Sequence, residues 1–408
     1  MELSTKIPSF QPVAKNQRVT VVDALRGLAL LGIILANVPY DTYTAEGANP
    51  EWFLHSPVLD SWLQMGFELF IDKKFITIFS LLFGFGFYIQ YSRAKEKGVD
   101  FRPYFVRRML LLLLIGAIHA YVFWWGDIIR YYVIGGLFLL MIYNLSHKRI
   151  LRLALCFSVL ITGIVYILNS ALDLQVYDYD YGIVRQLYLT ESYSTYFMIN
   201  ATIDSMVNFV QDSPLIIVFT FGNMLLGFWL GKIGFFHHPG KFRGMIRKWI
   251  GFGATLGIAT SAAFWALNHG KLELTLPLIG LIFVIVGGML LQSLFYIGAF
   301  IQLFGTPLGA KILSVFEPVG RMALTNYLVQ TLFYLFCFYH WAPGFGLYGN
   351  IGVAPTFILA IAFFGLQVLF SRWWLGRHAQ GPVEYVWKKI SYQKTPTTNL
   401  QRMKLNRS

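Results

Sequence analysis

Apolar residues run along this chain in blocks of close to twenty, divided by short polar breaks, without the alternation of a half-buried strand. A helix needs about 20 apolar residues to cross a hydrocarbon core about 30 Å thick. Ten runs meet that pattern: 20–39, 73–91, 105–125, 128–145, 150–168, 213–231, 249–268, 275–300, 321–341 and 354–371. Unbroken runs select helices over a closed barrel, because a helix satisfies its own backbone groups in lipid. The expected fold is all-α: a polytopic integral membrane protein of about ten transmembrane helices. It divides into an N-terminal segment 1–19, a helical bundle 20–371 and a tail 372–408.

Composition agrees. The 408 residues are 56% hydrophobic and 13% charged, about half the usual ~25% charged share, and mean hydropathy is +0.56. A net charge of +13 would fit a nucleic-acid partner. The distribution excludes it, since Lys and Arg gather at the ends of apolar runs on alternate loops. Only Lys73, Lys74, Arg130, Arg185 and Lys271 fall on the minority side. That imbalance places both termini in the cytoplasm and predicts a multi-pass protein of a cell membrane, by expectation the bacterial cytoplasmic one, with the bilayer as its first partner. The charges inside the first run argue for an uncleaved span over a signal peptide. Cys156 and Cys337 both lie within apolar runs and offer neither a disulfide framework nor a metal motif.

Two outer loops are long, 40–72 and 169–212. Leu59 to Ile71 has apolar residues at helical spacing and is expected to lie along the membrane surface. The second loop carries Tyr177, Tyr179, Tyr181, Tyr188, Tyr193 and Tyr196, read first as interface anchors and second as a sugar-stacking platform.

Ionisable residues inside the runs are the candidate chemistry, because charge at membrane depth costs about 2.5–3.5 kcal/mol or more. Asp23 and Arg26 stand one helical turn apart at the start of the first run. Asn37 ends the same run, about 16 Å further along a helix. His119 and Asp127 close the third run, where a carboxylate can fix the tautomer of a histidine and raise its basicity. Arg107, Arg108, Arg321 and Asn326 lie at cytoplasmic ends, where guanidiniums can hold phosphate or lipid headgroups. Gly84-Phe85-Gly86 reads as a helix-packing site, and Gly381 to Lys389 as an interfacial helix or cap.

Several blocks resemble the YeiB-like family of membrane proteins, a family defined as a domain of unknown function. They are Arg18-x4-Asp23-Ala-Leu-Arg26-Gly27 through Asn37, Lys74-Phe75-x-Thr77 through Gly86, Gly116-x2-His119 with Gly126-Asp127-Ile128, Gly320 through Tyr327, and Gly381-Pro382-Val383-Glu384. The opening block also resembles transmembrane acyltransferases such as heparan-alpha-glucosaminide N-acetyltransferase and the bacterial polysaccharide O-acyltransferases. That resemblance implies transfer of an acyl (acetyl) group from cytosolic acyl-CoA to an extracytoplasmic sugar or amine. Asp23, Arg26, Arg107, Arg108, Arg321 and Asn326 would then serve the acyl-CoA, and Asn37, His119, Asp127 and His55 the chemistry. The departures are specific. The polysaccharide enzymes have histidine where this chain has Asn37. The heparan enzyme has its catalytic histidine 11 residues later, where this chain has Ala48, and His55 is the nearest histidine. No metal is expected, a homodimer stays open, and a transporter or flippase of a small metabolite or lipid-linked intermediate is the alternative reading.

Overall fold

The structure, a computed structural model, describes residues 18–43, 56–171, 181–203, 213–271, 278–341 and 343–391. These residues are helical nearly throughout and form no β-strand. In chain order the helices are α1 (Thr20–Tyr43), α2 (Pro57–Phe70), α3 (Lys74–Glu96) and α4 (Arg102–Ile118), which runs into a π-helical turn at His119–Phe123. Then come α5 (Ile129–Ile142), α6 (His147–Leu155), α7 (Thr162–Ala171), α8 (Tyr181–Leu189), α9 (Tyr193–Thr202) and α10 (Ser213–Lys232). The second half holds α11 (Arg243–Phe252), α12 (Ile258–Asn268), α13 (Leu278–Phe304), α14 (Pro307–Leu313), α15 (Glu317–Arg321), α16 (Ala323–Phe338), α17 (Val353–Arg377) and α18 (Pro382–Ser391).

Each of the ten expected runs coincides with helix, but the number of spans differs. Six helical stretches among the described residues are long and apolar enough to cross a bilayer, or seven if a pair bent by 117° counts as one span. The reason is length: the 14 residues of α5 and the 16 of α16 rise only about 21 and 24 Å. They are short helices held among longer neighbours.

Glycines decide where the bundle closes most tightly. A Cβ at Gly84 of α3 would stand 1.9 Å from the Met224 carbonyl oxygen, and one at Gly227 of α10 1.7 Å from that of Leu81. The two helices therefore meet backbone to backbone, as small residues allow in lipid. The bent pair breaks at Gly305, and Thr306 caps the next helix by accepting from the Gly309 N–H at 3.1 Å. This elbow folds α14 and α15 under α1. A Cβ at Gly27 would stand 2.0 Å from the Phe316 carbonyl oxygen, and one at Gly320 1.8 Å from that of Asp23. Arg26 and Arg321 each neighbour one of these glycines in sequence, and both line the same cavity.

The C-terminal helix is a cap. Glu384 of α18 accepts from the Leu324 and Thr325 N–H groups at 2.8 and 3.0 Å and from the Thr325 hydroxyl at 2.5 Å. Those are orphan donors of the first turn of α16. Loss of an N-cap costs about 0.5–2 kcal/mol. Glu384 is buried, so Glu384→Ala is expected at the upper end, read as a lowered thermal midpoint in detergent, with Glu384→Gln milder.

Helix α2 confirms the amphipathic reading of 59–71 in part. Val58, Leu59, Trp62 and Phe70 are exposed while Asp60 and Phe67 are buried. Its last carbonyls are taken by α13: Gln292 donates to Leu69 O at 2.9 Å and Tyr296 to Phe70 O at 2.9 Å. Of the second loop's tyrosines, Tyr193 is exposed as expected, and two require correction. Tyr188 and Tyr196 are fully buried. Tyr188 stacks on Tyr348 at 4.2 Å and Tyr196 packs on Trp341 at 4.6 Å. They lock α8 and α9 onto the end of α16 and are neither an interface belt nor an open platform. Tyr177 and Tyr179 lie outside the described residues.

Candidate functional site

A partly open cavity of about 1170 Å³ is lined by residues of α1, α2, α3, α4, α5, α12, α15, α16 and α18. It exceeds the roughly 300–1,000 Å³ of an ordinary small-molecule pocket. One end is basic. Arg18, Arg26, Arg108, Arg321 and Lys388 line it, with Asp23 among them. Asp23 lies 2.7 Å from Arg26 and 3.6 Å from Arg18, and Glu317 lies 3.9 Å from Arg321. The Arg108 guanidinium sits 3.5 Å over the Trp387 ring, and the Trp387 indole N–H donates to Arg108 O at 3.1 Å. The Nε of Arg321 is buried with no hydrogen-bond partner. A buried guanidinium donor without an acceptor is costly and points to an anion that completes it. Arg18, just before α1, and Lys388 of α18 thus line the same mouth.

Burial, with Arg108 and Arg18 nearby, pushes the Lys388 ammonium down to about 8, while Glu384 and Asp23 oppose that shift only partly. The sign follows. Below pH 8 Lys388 is charged and adds to the anion site; above it the charge is lost. Binding of a phosphate ligand is therefore expected to weaken between pH 7 and 9 with net proton uptake, and Lys388→Met should remove that step. Calorimetry in buffers of different ionisation enthalpy measures both.

The middle of the cavity is apolar, with Ile33, Leu82, Phe83 and Leu112 among its walls. The opposite end is polar and aromatic, with Asn37, Trp124, Trp125, Asp127, Glu68 and His269. Thus Asp23, Arg26, Asn37, Arg108, Asp127 and Arg321, all singled out in the sequence, line one space.

His119 is brought to Asp127 as its spacing implies: Nδ1 lies 2.9 Å from Asp127 Oδ1. The π-helical turn sets this geometry, since the Trp124 N–H reaches back five residues to His119 O at 2.8 Å. Carbonyls left open by the turn are filled from α9. Asn200 donates to Ala120 O and Tyr121 O at 2.6 and 3.1 Å, and the hydroxyls of Tyr193 and Tyr196 donate to Val122 O and Phe123 O. A π-helical insertion of this kind often marks a functional site. Asp127 also accepts from the Ile129 N–H at 3.1 Å, the Arg130 N–H at 3.1 Å and Arg130 Nε at 3.0 Å. Asp127 Oδ1 accepts from the Nδ1–H of His119, and the Thr331 hydroxyl pairs with Nε2 at 2.8 Å. The histidine is only 2% exposed and sits behind the cavity wall.

Two expected binding residues stand elsewhere. Arg107 is not among the residues that line the cavity. Neither is Asn326, whose amide donates to Val319 O, Met322 O and Ser371 Oγ at 3.2, 3.1 and 3.0 Å. Asn326 is a helix brace, because its donors are all consumed by backbone and a neighbouring helix. His55 lies outside the described residues. Sequence reading passed over Thr331, Lys388 and His269. Thr331 was visible as part of a polar stripe with Tyr327 and Tyr334, one turn apart on one helix face.

Long apolar helices around a cavity with a guanidinium cluster at one mouth define a helical membrane protein with an internal cavity. The chain belongs to the YeiB-like family, whose model, "Protein of unknown function (DUF418)", matches residues 230–394. It is 31% identical to the uncharacterized protein YxaH of Bacillus subtilis, over 94% of this chain and 96% of that one. It is 29% identical to an uncharacterized 39.9 kDa protein of the amylase 3' region of Bacillus acidopullulyticus, over 94% and 97%. It is 28% identical to the uncharacterized protein YeiB of Escherichia coli, over 92% and 96%.

Proposed function

We propose that this protein is a membrane acyltransferase that takes an acyl group, acetyl in the simplest case, from cytosolic acyl-CoA. The acceptor, a sugar or amine, stands on the other side of a bacterial cytoplasmic membrane. The observation that carries this reading is the continuity of the cavity from the Arg26–Arg321 mouth to Asn37 and Asp127. Phosphates suit the basic mouth, which the positive-inside pattern puts in the cytoplasm. An apolar passage suits the pantetheine arm. Asn37, which lines the cavity, would donate to the oxyanion of the tetrahedral intermediate, a contribution of about 10²–10³ in rate for one donor. Asp23 holds Arg26 in place. His119, with both ring nitrogens engaged, takes part as a base only if the Thr331 hydroxyl leaves Nε2.

The transporter reading is favoured by one feature, the buried His119–Asp127–Arg130 set at membrane depth. Sealed proteoliposomes separate the two. Labelled acetyl-CoA on the basic side should yield acetylated glucose or glucosamine on the other side. Flux of those sugars without CoA, and no acetylated product, would establish transport instead.

A further inference from the structure

His269 is exposed at the mouth of the cavity opposite the arginines, just beyond the last residue of α12, and it lines the same space as Asn37 and Asp127. Its Nδ1 lies 2.9 Å from the Trp265 carbonyl oxygen. A carbonyl accepts only from an N–H, so Nδ1 carries the proton in the neutral ring and Nε2 is left with the lone pair. Nε2 is directed toward Glu68, 3.8 Å from Oε1. The imidazole also stacks on the Trp265 indole at 4.9 Å, which fixes its plane. The Trp265 carbonyl thus sets the tautomer, and Nε2 faces the Glu68 carboxylate, which would hold the proton once that nitrogen takes it. His119, by contrast, has no free ring nitrogen.

Among the described residues, Lys73 pairs with Asp72 at 3.2 Å, and the Lys74 ammonium donates to Glu68 O at 2.7 Å. These two carboxylates and two ammonium groups offset one another. Aromatic faces at Phe264 and Trp265 lie beside them. A neutral molecule bearing hydroxyls fits such a site better than a charged amine.

We infer that His269 is the general base for acyl transfer and that the acceptor is a neutral hydroxyl compound, bound between His269, Glu68 and Trp265. The inference rests on the acyl-transfer reading above. In the step, the acceptor oxygen bonds to the thioester carbonyl carbon as His269 Nε2 removes the hydroxyl proton. The new imidazolium is held by Glu68. The intermediate then collapses: the C–S bond breaks, its electron pair goes to sulfur, and the proton passes from Nε2 to the thiolate. The products are an ester and free CoA.

The test uses purified full-length protein with acetyl-CoA and three probes, glucose, glucosamine and water. Turnover is followed by thiol release and affinity for CoA by calorimetry. His269→Gln should bind CoA within about twofold of wild type and lose turnover on glucose by about 10²–10⁴, the usual contribution of a positioned base. Glu68→Gln should lose less, and wild type should prefer glucose to glucosamine. His269→Gln turnover equal to wild type, with CoA bound, overturns the role of His269 alone. Faster turnover with glucosamine than with glucose overturns the acceptor class. Absence of CoA binding or of any turnover in wild type overturns the acyl-transfer reading and this inference with it.

Discussion

Arg321→Ala is expected to weaken CoA binding by about ten- to a hundredfold, because a hydrogen bond to a charged partner is worth about 1.5–3 kcal/mol. Arg321 is the cleanest position at which to read this. Its Nε is buried without a partner and its nearest carboxylate is 3.9 Å away, so removing it orphans no charge in close contact. Arg26→Ala is less clean, since it strips Asp23, 6% exposed, of its partner at 2.7 Å. That variant should lose stability as well as affinity. Arg107→Ala is the control, because the side chain does not line the cavity. Calorimetry at two salt concentrations checks all three, and the Arg321 effect should shrink as screening rises.

Asp127→Ala is the substitution with the largest expected effect on the fold. Asp127 gathers His119, Arg130 and two backbone N–H groups at 2.9–3.1 Å, and His119, Asp127 and Arg130 are all 2–3% exposed. Removing one partner of a buried ion pair costs about 3–5 kcal/mol. Two orphaned amides at the start of α5 add to that. Little folded protein should be recovered after detergent extraction. Asp127→Asn keeps an acceptor oxygen for those amides and should be recovered with a lowered thermal midpoint. Thermal unfolding by intrinsic tryptophan fluorescence gives the order Asp127→Ala, Asp127→Asn, wild type. Equal midpoints would mean that the network contributes no stability.

Much of this architecture could be read from periodicity, because lipid leaves the backbone few options. The ten apolar runs fall on helices, and His119 meets Asp127 because eight residues of helix, π-turn and loop return the chain to the same place. The number of crossings could not be read so well. An apolar run does not record helix length, and α5 and α16 are apolar but only 14 and 16 residues long. The elbow at Gly305 was hidden for a related reason: its angle is set by α1, through close approaches at Gly27 and Gly320 that no local pattern encodes. Asn326 was misplaced because a polar residue in an apolar run reads alike whether it faces a cavity or a carbonyl. His269 was missed because its partner Glu68 is some two hundred residues earlier in the chain.

The central claim is that one cavity holds an acyl-CoA from the basic mouth to the far polar end. A structure determined with acetyl-CoA tests it most directly. The phosphates should lie against Arg26, Arg321 and Lys388, with the thioester beside Asn37. An empty cavity at saturating acetyl-CoA, or the nucleotide bound elsewhere on the protein, would contradict it.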